Sequence, residues 1–127
     1  MVRQIITTGD APGSPLFSQG VRVGSTVYVS GMVGVDPATG EVAGASIEDQ
    51  TRQAVRNCES VLHAAGCSLD DVAFVTVLLA RPQDFAGMNE AYAAMFGDHP
   101  PARAVTRLGP ELDGILVSIT MTAHVAE

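Results

Sequence analysis

Arg103 is the side chain that the sequence places best for binding a charged small molecule. It follows the tripeptide Pro100–Ala102 and begins an apolar segment that continues with Ala104 and Val105. Two consecutive prolines push the preceding residues toward extended backbone, so a helix that ends at Gly97 cannot continue into this segment. The planar guanidinium matches a carboxylate in charge and geometry. The sequence therefore predicts a carboxylate clamp at the start of a strand; the alternative is a solvated arginine that covers a strand edge.

The charge balance excludes two classes of function. The chain has 127 residues, with 7 basic and 14 acidic side chains, a formal net charge of −7 and no lysine. Because it has no run of basic residues, the sequence predicts no positively charged surface that would bind a phosphate backbone. Nucleic acid is therefore not an expected partner. Because it has no lysine, it cannot form a Schiff base through its own amine, which excludes covalently anchored pyridoxal phosphate as a cofactor.

The cysteines, histidines and paired acids do not predict a metal centre. Cys58 and Cys67 are nine positions apart (67 minus 58), without a CxxC pair or a histidine at ligand spacing. Cys58 falls on the apolar stripe of a predicted helix, where a free cysteine acts as a small hydrophobe; the role of Cys67 stays open. Asp70-Asp71 is expected to form a turn. His99 and His124 are expected to be structural or solvated.

Length and hydropathy predict one soluble domain covering residues 1–127. The hydrophobic fraction of 46% is enough to fill a single core. The segment Met1–Gln4 lacks the apolar region of a signal peptide, and no apolar run approaches the ~20 residues that cross a bilayer. We expect a cytoplasmic protein without membrane contact.

Periodicity predicts two helices and one sheet. The first helix begins at a capping box of Ser46 and Asp49 and ends at Gly66, with an inward stripe of Ile47, Thr51, Ala54, Val55, Cys58, Val61, Leu62 and Ala65. The second begins at Pro82 and ends at Gly97, with an inward stripe of Phe85, Met88, Tyr92, Met95 and Phe96. The element order β-β-β-α-β-α-β-β is typical of an α+β two-layer sandwich with both helices on one face of the sheet.

The second face of the predicted sheet points to self-assembly. In the last strand Ile115, Val117, Ile119, Met121 and Ala123 alternate with Ser118, Thr120, Thr122 and His124, which predicts one apolar and one polar face. The segment Val72–Ala80 is apolar at almost every position, which predicts a strand covered on both faces. A monomer would expose this surface. We infer that copies of the same chain partly cover it.

Several motifs in a fixed order resemble those of the reactive-intermediate deaminase (RidA, YjgF-type) family. They span roughly residues 9 to 125 and are Ser18-Gln19-Gly20, Ser30-Gly31, Asp36-Pro37-x-Thr39-Gly40-Glu41, Ala64-Ala65-Gly66, Asp84-Phe85 with Asn89 and Tyr92, and Pro101-Ala102-Arg103. The ordered set is more specific than any one motif. The resemblance implies a chorismate-mutase-like fold with a mixed sheet, and a homotrimer with sheets inward, helices outward and three ligand sites between subunits.

The resemblance also implies a reaction and a set of site residues. Members of the deaminase branch hydrolyse enamines and imines such as 2-aminoacrylate and 2-iminopropanoate to a 2-oxo acid and ammonia, without cofactor or metal. By this resemblance, Arg103 binds the carboxylate of a small substrate. The resemblance also assigns Ser30, the Gly31 backbone, Asn89, Val105 and Phe17 to the pocket. Val105 stands at a position that is commonly cysteine, and Phe17 at one that is commonly tyrosine.

Two positions depart from the deaminase branch. That branch usually carries glutamates in the last strand, one of which positions and activates water, whereas this chain has Ser118 and Thr120. A positioned acid or base contributes ~10²- to 10⁴-fold in rate, and a hydroxyl orients water without accepting its proton near neutral pH. Imine hydrolysis is intrinsically fast, so binding and orientation still support turnover. We therefore assign the two hydroxyls to hold water and expect a reduced rate; Glu111, Asp113, His99 or His124 could replace the acid, but the sequence favours none of them.

Three hypotheses from different classes follow. The first is a cofactor-free enamine/imine deaminase of reduced rate, and the second is a divergent enzyme of the same scaffold that acts on another small carbonyl or carboxylate compound in a specialised pathway. The third is a non-catalytic trimer that binds small carboxylates or acts like a chaperone. A ribonuclease or translation-inhibitor role, also described for the family, is least favoured because of the net charge of −7 and the absence of lysine.

Overall fold

The computed structural model describes residues 2–125 and confirms the predicted fold class and element order. The elements in chain order are β1 (Gln4–Ile6), β2 (Gly20–Val23), β3 (Thr26–Val33), α1 (Ile47–Ala64), β4 (Val72–Leu79), α2 (Phe85–Phe96), β5 (Ala102–Arg107) and β6 (Val117–His124). Short 3₁₀ turns precede β4 and α2. Both helices pack on one face of the sheet, which makes the molecule a two-layer α+β sandwich.

The six strands form one mixed sheet in the order β1-β2-β3-β6-β4-β5. β4 and β5 are parallel and are joined by a crossover through α2, whereas all other neighbours are antiparallel. The last strand of the chain therefore lies between β3 and β4, near the centre of the sheet. β5, which carries Arg103, forms one edge. This topology decides where the candidate residues meet.

Helix α1 packs on the sheet as its periodicity predicts. The backbone N–H of Asp49 donates to Ser46 Oγ over 3.1 Å, which caps the first turn. Gly66 has φ +84° just after the helix and so adopts the left-handed conformation that favours glycine. The side chains of Val55, Cys58 and Leu62 are completely buried. The stripe predicted from the sequence is the surface that faces the core.

Helix α2 differs from its prediction at the N-terminal end. Pro82 begins a 3₁₀ turn instead of the α-helix, and the helix proper begins at Phe85. Phe85, predicted to face inward, is 48% exposed, so that prediction is wrong. Phe85 lines a surface groove together with Leu79, Pro82 and Val105. Because β5 is the last strand on this side, no further strand covers the side chain.

The other face of the sheet is open in the single chain. Directly paired residues on six strands form one row across it, in the order Ile5, Val21, Tyr28, Thr122, Phe74 and Ala102. Tyr28 is 51% and Phe74 is 42% exposed. β4 is thus covered on one face only within the chain, and coverage of the other by copies of the same chain stays a prediction. No helix among residues 2–125 is long and apolar enough to cross a bilayer.

Candidate active site

Arg103 lies at the start of β5, and its side chain contacts residues of helix α2. One of its terminal nitrogens, Nη1, donates to Asn89 Oδ1 over 2.8 Å and lies 3.9 Å from Met88 Sδ. Its Cζ is 4.9 Å from the centroid of the Tyr92 ring, within the range of a cation–π contact. The residue is exposed in the single chain. It is therefore accessible to a ligand and yet fixed in position.

The contacts of Arg103 leave one side of its guanidinium available. Among residues 2–125, Nε and Nη2 donate no hydrogen bond, and these two N–H groups form a fork that fits both oxygens of a carboxylate. The adjoining recess has a volume of about 310 Å³ and is lined by Asn89, Tyr92, Ala93, Phe96, Gly97, Pro100, Pro101 and Arg103. Pro100 and Pro101, which precede β5, thus form part of the wall of this recess.

Tyr92 contributes an aromatic face and a neutral phenol. The residue is 5% exposed, and burial raises the pKa of its hydroxyl, an effect that the nearby Arg103 charge partly opposes. Its hydroxyl finds no hydrogen-bond partner within the described part of the chain. We assign the ring, which lies against the guanidinium, as the part of Tyr92 that orients Arg103.

Ser30 and Gly31 form a second group of candidates with Ser118 and Thr120. The pairing of β3 with β6 shifts between Val29 and Met32, so Ser30 and Gly31 sit in an irregular segment of the strand. Ser30 Oγ donates to the Ser18 carbonyl, and its backbone N–H donates to the Gln19 carbonyl.

The two hydroxyls on β6 differ in availability. Thr120 Oγ1 donates to the Val29 carbonyl, so its proton is already engaged. Ser118 is 8% exposed, and its hydroxyl makes no hydrogen bond to the described residues. A Cβ added to Gly31 would lie 3.0 Å from Ser118 Oγ, which is tighter than ordinary contact. Because Gly31 has no Cβ, it leaves room for this hydroxyl.

The two groups lie on opposite faces of the sheet in one chain. Arg103 pairs with Val75, which is completely buried under the helices, and contacts α2. Ser118 pairs with Leu78 and Thr120 with Thr76, on the alternate, open face. Val105 is half-buried on the same face as Arg103. A single chain therefore does not bring Arg103 opposite the hydroxyls.

Phe17 joins neither group within the single chain. It is 42% exposed beside a recess of about 420 Å³ whose other walls come from β1 and the loop that follows it. Gln19 ties this loop together. Its side-chain carbonyl accepts from the Thr8 N–H over 2.7 Å, and its amide donates to the carbonyls of Thr8, Ala11 and Pro12.

Two buried polar residues of α1 were not identified from the sequence. Gln50 donates to the carbonyls of Gly44 and Gly114 and accepts from the Leu116 N–H, all within 3.0 Å. Asn57 donates to the carbonyls of Val33 and Val35 over 2.9 and 2.8 Å. They hold the start of β6 and the end of β3, the strands that carry Ser118 and Gly31. Their spacing of seven (57 minus 50) places them on one helix face, which is the sequence signal that could have found them.

The remaining reactive side chains stay apart from both groups. Cys58 and Cys67 are free and buried, and burial raises the pKa of each thiol. His99, Glu111 and Asp113 are exposed in loops, and His124 Nδ1 lies 3.3 Å from Thr26 Oγ1. Residues 2–125 contain no cluster of three potential metal ligands.

Comparison with known proteins places this geometry in context. The family model described as endoribonuclease L-PSP matches residues 8–125. The RutC family protein SSO3206 of Saccharolobus solfataricus is 43% identical over 125 residues, covering 97% of this chain and 98% of that protein. Human 2-iminobutanoate/2-iminopropanoate deaminase is 36% identical over 124 residues, covering 97% and 90%. The crystal structure of E. coli TdcF with bound serine superposes with a TM-score of 0.89 at 32% identity, covering 97% of this chain and 99% of that one.

Proposed function

The chain belongs to the RidA/YjgF family, whose family model is described as endoribonuclease L-PSP, and we propose that it hydrolyses small enamine and imine acids to a 2-oxo acid and ammonia. The observation that carries the proposal is the free guanidinium fork of Arg103, oriented by Asn89 and Tyr92. The substrate carboxylate binds Nε and Nη2 of this fork. The name of the human relative and the serine bound to TdcF support a small substrate with a carboxylate and a nitrogen on the adjacent carbon.

The proposed site forms between copies of the chain in a homotrimer. Arg103 and the Ser118 hydroxyl lie on opposite faces of one sheet, so only a second copy can bring them together. The exposed row that includes Tyr28 and Phe74 supplies the apolar surface that such an assembly buries. We assign Arg103, Asn89 and Val105 to one subunit's wall of the site and Ser30, Gly31, Ser118 and Thr120 to its neighbour's, with Phe17 at the rim.

The chemistry requires no cofactor in this proposal. An enamine first takes up a proton from solvent at its terminal carbon, which converts it to the imine. Water adds to the carbon of the C=N bond, the C–N bond then breaks, nitrogen leaves as ammonia and the carbon keeps the oxygen as a 2-oxo group. Ser118 orients the water, while protons exchange with solvent. Because a hydroxyl does not accept the proton near neutral pH, we expect a rate ~10²- to 10⁴-fold below that of a site with a positioned base.

A trapping assay tests the proposal. A dehydratase that releases 2-aminoacrylate from serine is run with semicarbazide, which captures the imine, and the purified protein is added in increasing amounts. We expect less trapped imine and more pyruvate when the native protein is present. The Arg103→Gln variant should be about 10- to 100-fold less effective, because it loses a charged bidentate contact with the substrate. Arg56→Gln, an equal charge change at an exposed residue of α1, is the control. If the amount of imine captured by semicarbazide stays the same at high protein concentration, the proposal is wrong.

A non-catalytic carboxylate-binding trimer is the second candidate. The observation that favours it is the pair of hydroxyls at positions 118 and 120, one of which is bound to a backbone carbonyl. Binding of 2-oxobutanoate that requires Arg103, without any effect on imine trapping, is the result that identifies it. A divergent enzyme on another small carbonyl compound would instead turn over that compound and leave imine trapping unchanged.

A further inference from the structure

A second arginine lies on the same face of β5 as Arg103. Arg103, Val105 and Arg107 pair with Val75, Val77 and Leu79 of β4, all of which are buried on the helix-covered face. Alternate residues of a strand share one face, so the two arginines point to the same side, with Cα atoms about 13 Å apart at four residues' separation. Both are exposed, whereas Val105 between them is half-buried.

An apolar groove lies beside Arg107. It has a volume of about 370 Å³ and is lined by Leu79, Pro82, Phe85, Val105, Thr106 and Arg107. Phe85 and Asn89 are four residues apart on α2 and so lie on one side of that helix. The recess around Arg103 and this groove are therefore neighbours along the seam between α2 and β5. The exposed ring of Phe85 forms part of the groove wall.

Neither of the two arginines makes an ion pair within residues 2–125. Ion pairs in residues 2–125 join Arg52 to Asp49 and Arg81 to Asp84, but none involves Arg103 or Arg107. Glu111 and Asp113 follow β5 in the chain, yet neither lies within ion-pair distance of Arg107. The protein has a net charge of −7, so these two arginines form a local positive region that attracts anions.

From this geometry we infer that the site prefers dicarboxylate ligands. The inference rests on the proposed function, because it assigns the first carboxylate to Arg103. The carbon chain lies on the apolar wall of Val105 and Phe85, and a second, distal carboxylate binds Arg107. A 2-oxo or 2-imino acid with an acidic side chain has this form. The hydroxyls of Ser118 and Thr120, which we assigned to the opposite wall of the proposed site, carry no negative charge that would repel a dianion.

Product analogues test the inference without requiring turnover. Titration of the full-length protein with 2-oxoglutarate and with 2-oxobutanoate, followed by NMR or calorimetry, should give a Kd about two- to fivefold lower for the dicarboxylate, because only this ligand also contacts Arg107. The expected gain is small because this contact is exposed to solvent. Arg107→Gln should abolish this difference while leaving the Kd for 2-oxobutanoate unchanged. Arg103→Gln should weaken both ligands, and Arg56→Gln neither.

Each outcome separates this inference from the proposed hydrolysis. Equal affinity for the two ligands, or an equal loss for both in Arg107→Gln, overturns the dicarboxylate preference even if imines are hydrolysed. A preference that depends on Arg107, with no hydrolysis of any imine, supports the inference and overturns the proposed reaction. A loss of the preference in Arg56→Gln would show that it reflects net charge and would also overturn the inference.

Discussion

The seam between α2 and β5 and the open face around Ser118 are built in opposite ways. The seam lies at a sheet edge and is exposed to solvent, and its two arginines, Arg103 and Arg107, make no ion pair within residues 2–125. The open-face group lies near the sheet centre, holds hydroxyls alone as its polar side chains, and packs so closely that Gly31 has little room for a Cβ. One region is suited to attract an anion and the other to hold a small neutral molecule. In the proposed function the first region binds the substrate and the second positions water, and assembly of two copies would bring them together.

Adding a base to the open face should have the largest effect on this division of tasks. We expect Ser118→Glu to raise the rate of imine hydrolysis about 10²-fold, because a carboxylate accepts the proton that a hydroxyl leaves on water. The semicarbazide assay at saturating substrate measures it. Ser118→Gln is the matched control, since it has the same size without the base. An equal gain in both variants would mean that shape, and not proton transfer, limits the reaction.

Removing Gln50 should destabilise the open-face group and leave the seam between α2 and β5 intact. We expect Gln50→Leu to lower the free energy of unfolding by about 2–3 kcal/mol, because two carbonyls and the Leu116 N–H lose their partner. Urea denaturation measures the loss, and hydrogen exchange should accelerate at the start of β6 before β5. Gln53→Leu, which removes a bond to a side chain only, should cost much less. Uniformly faster exchange in both strands would contradict a local role.

Changing the ring of Tyr92 should have the smallest effect and should be confined to the recess around Arg103. We expect Tyr92→Leu to weaken binding of 2-oxobutanoate about three- to fivefold, since an exposed cation–π contact contributes about 0.5–1 kcal/mol. Tyr92→Phe keeps the ring and should bind as well as the native protein, because the hydroxyl has no partner within the described residues. If both variants weaken binding alike, the hydroxyl matters and the ring does not orient the arginine.

The sequence predicted the local position of Arg103 but not the face of the sheet on which each candidate residue lies. The sequence predicted that Arg103 begins a strand, because the two prolines before it restrict the backbone locally. Phe85 was misplaced because helical periodicity does not show where a sheet ends. Gln50 and Asn57 were missed because their partners are backbone groups, some of them more than sixty residues away.

The sequence alone determined the type and order of the elements, the inward stripe of α1 and the alternation along β6, because each depends on a short-range period of side chains. Tertiary structure decided that β6 lies between β3 and β4 and that β5 is an edge. It thereby decided that Arg103 and Ser118 occupy opposite faces and that Arg107 shares a seam with Arg103. Strand order depends on hydrogen bonds between distant segments, and these leave no period in the sequence.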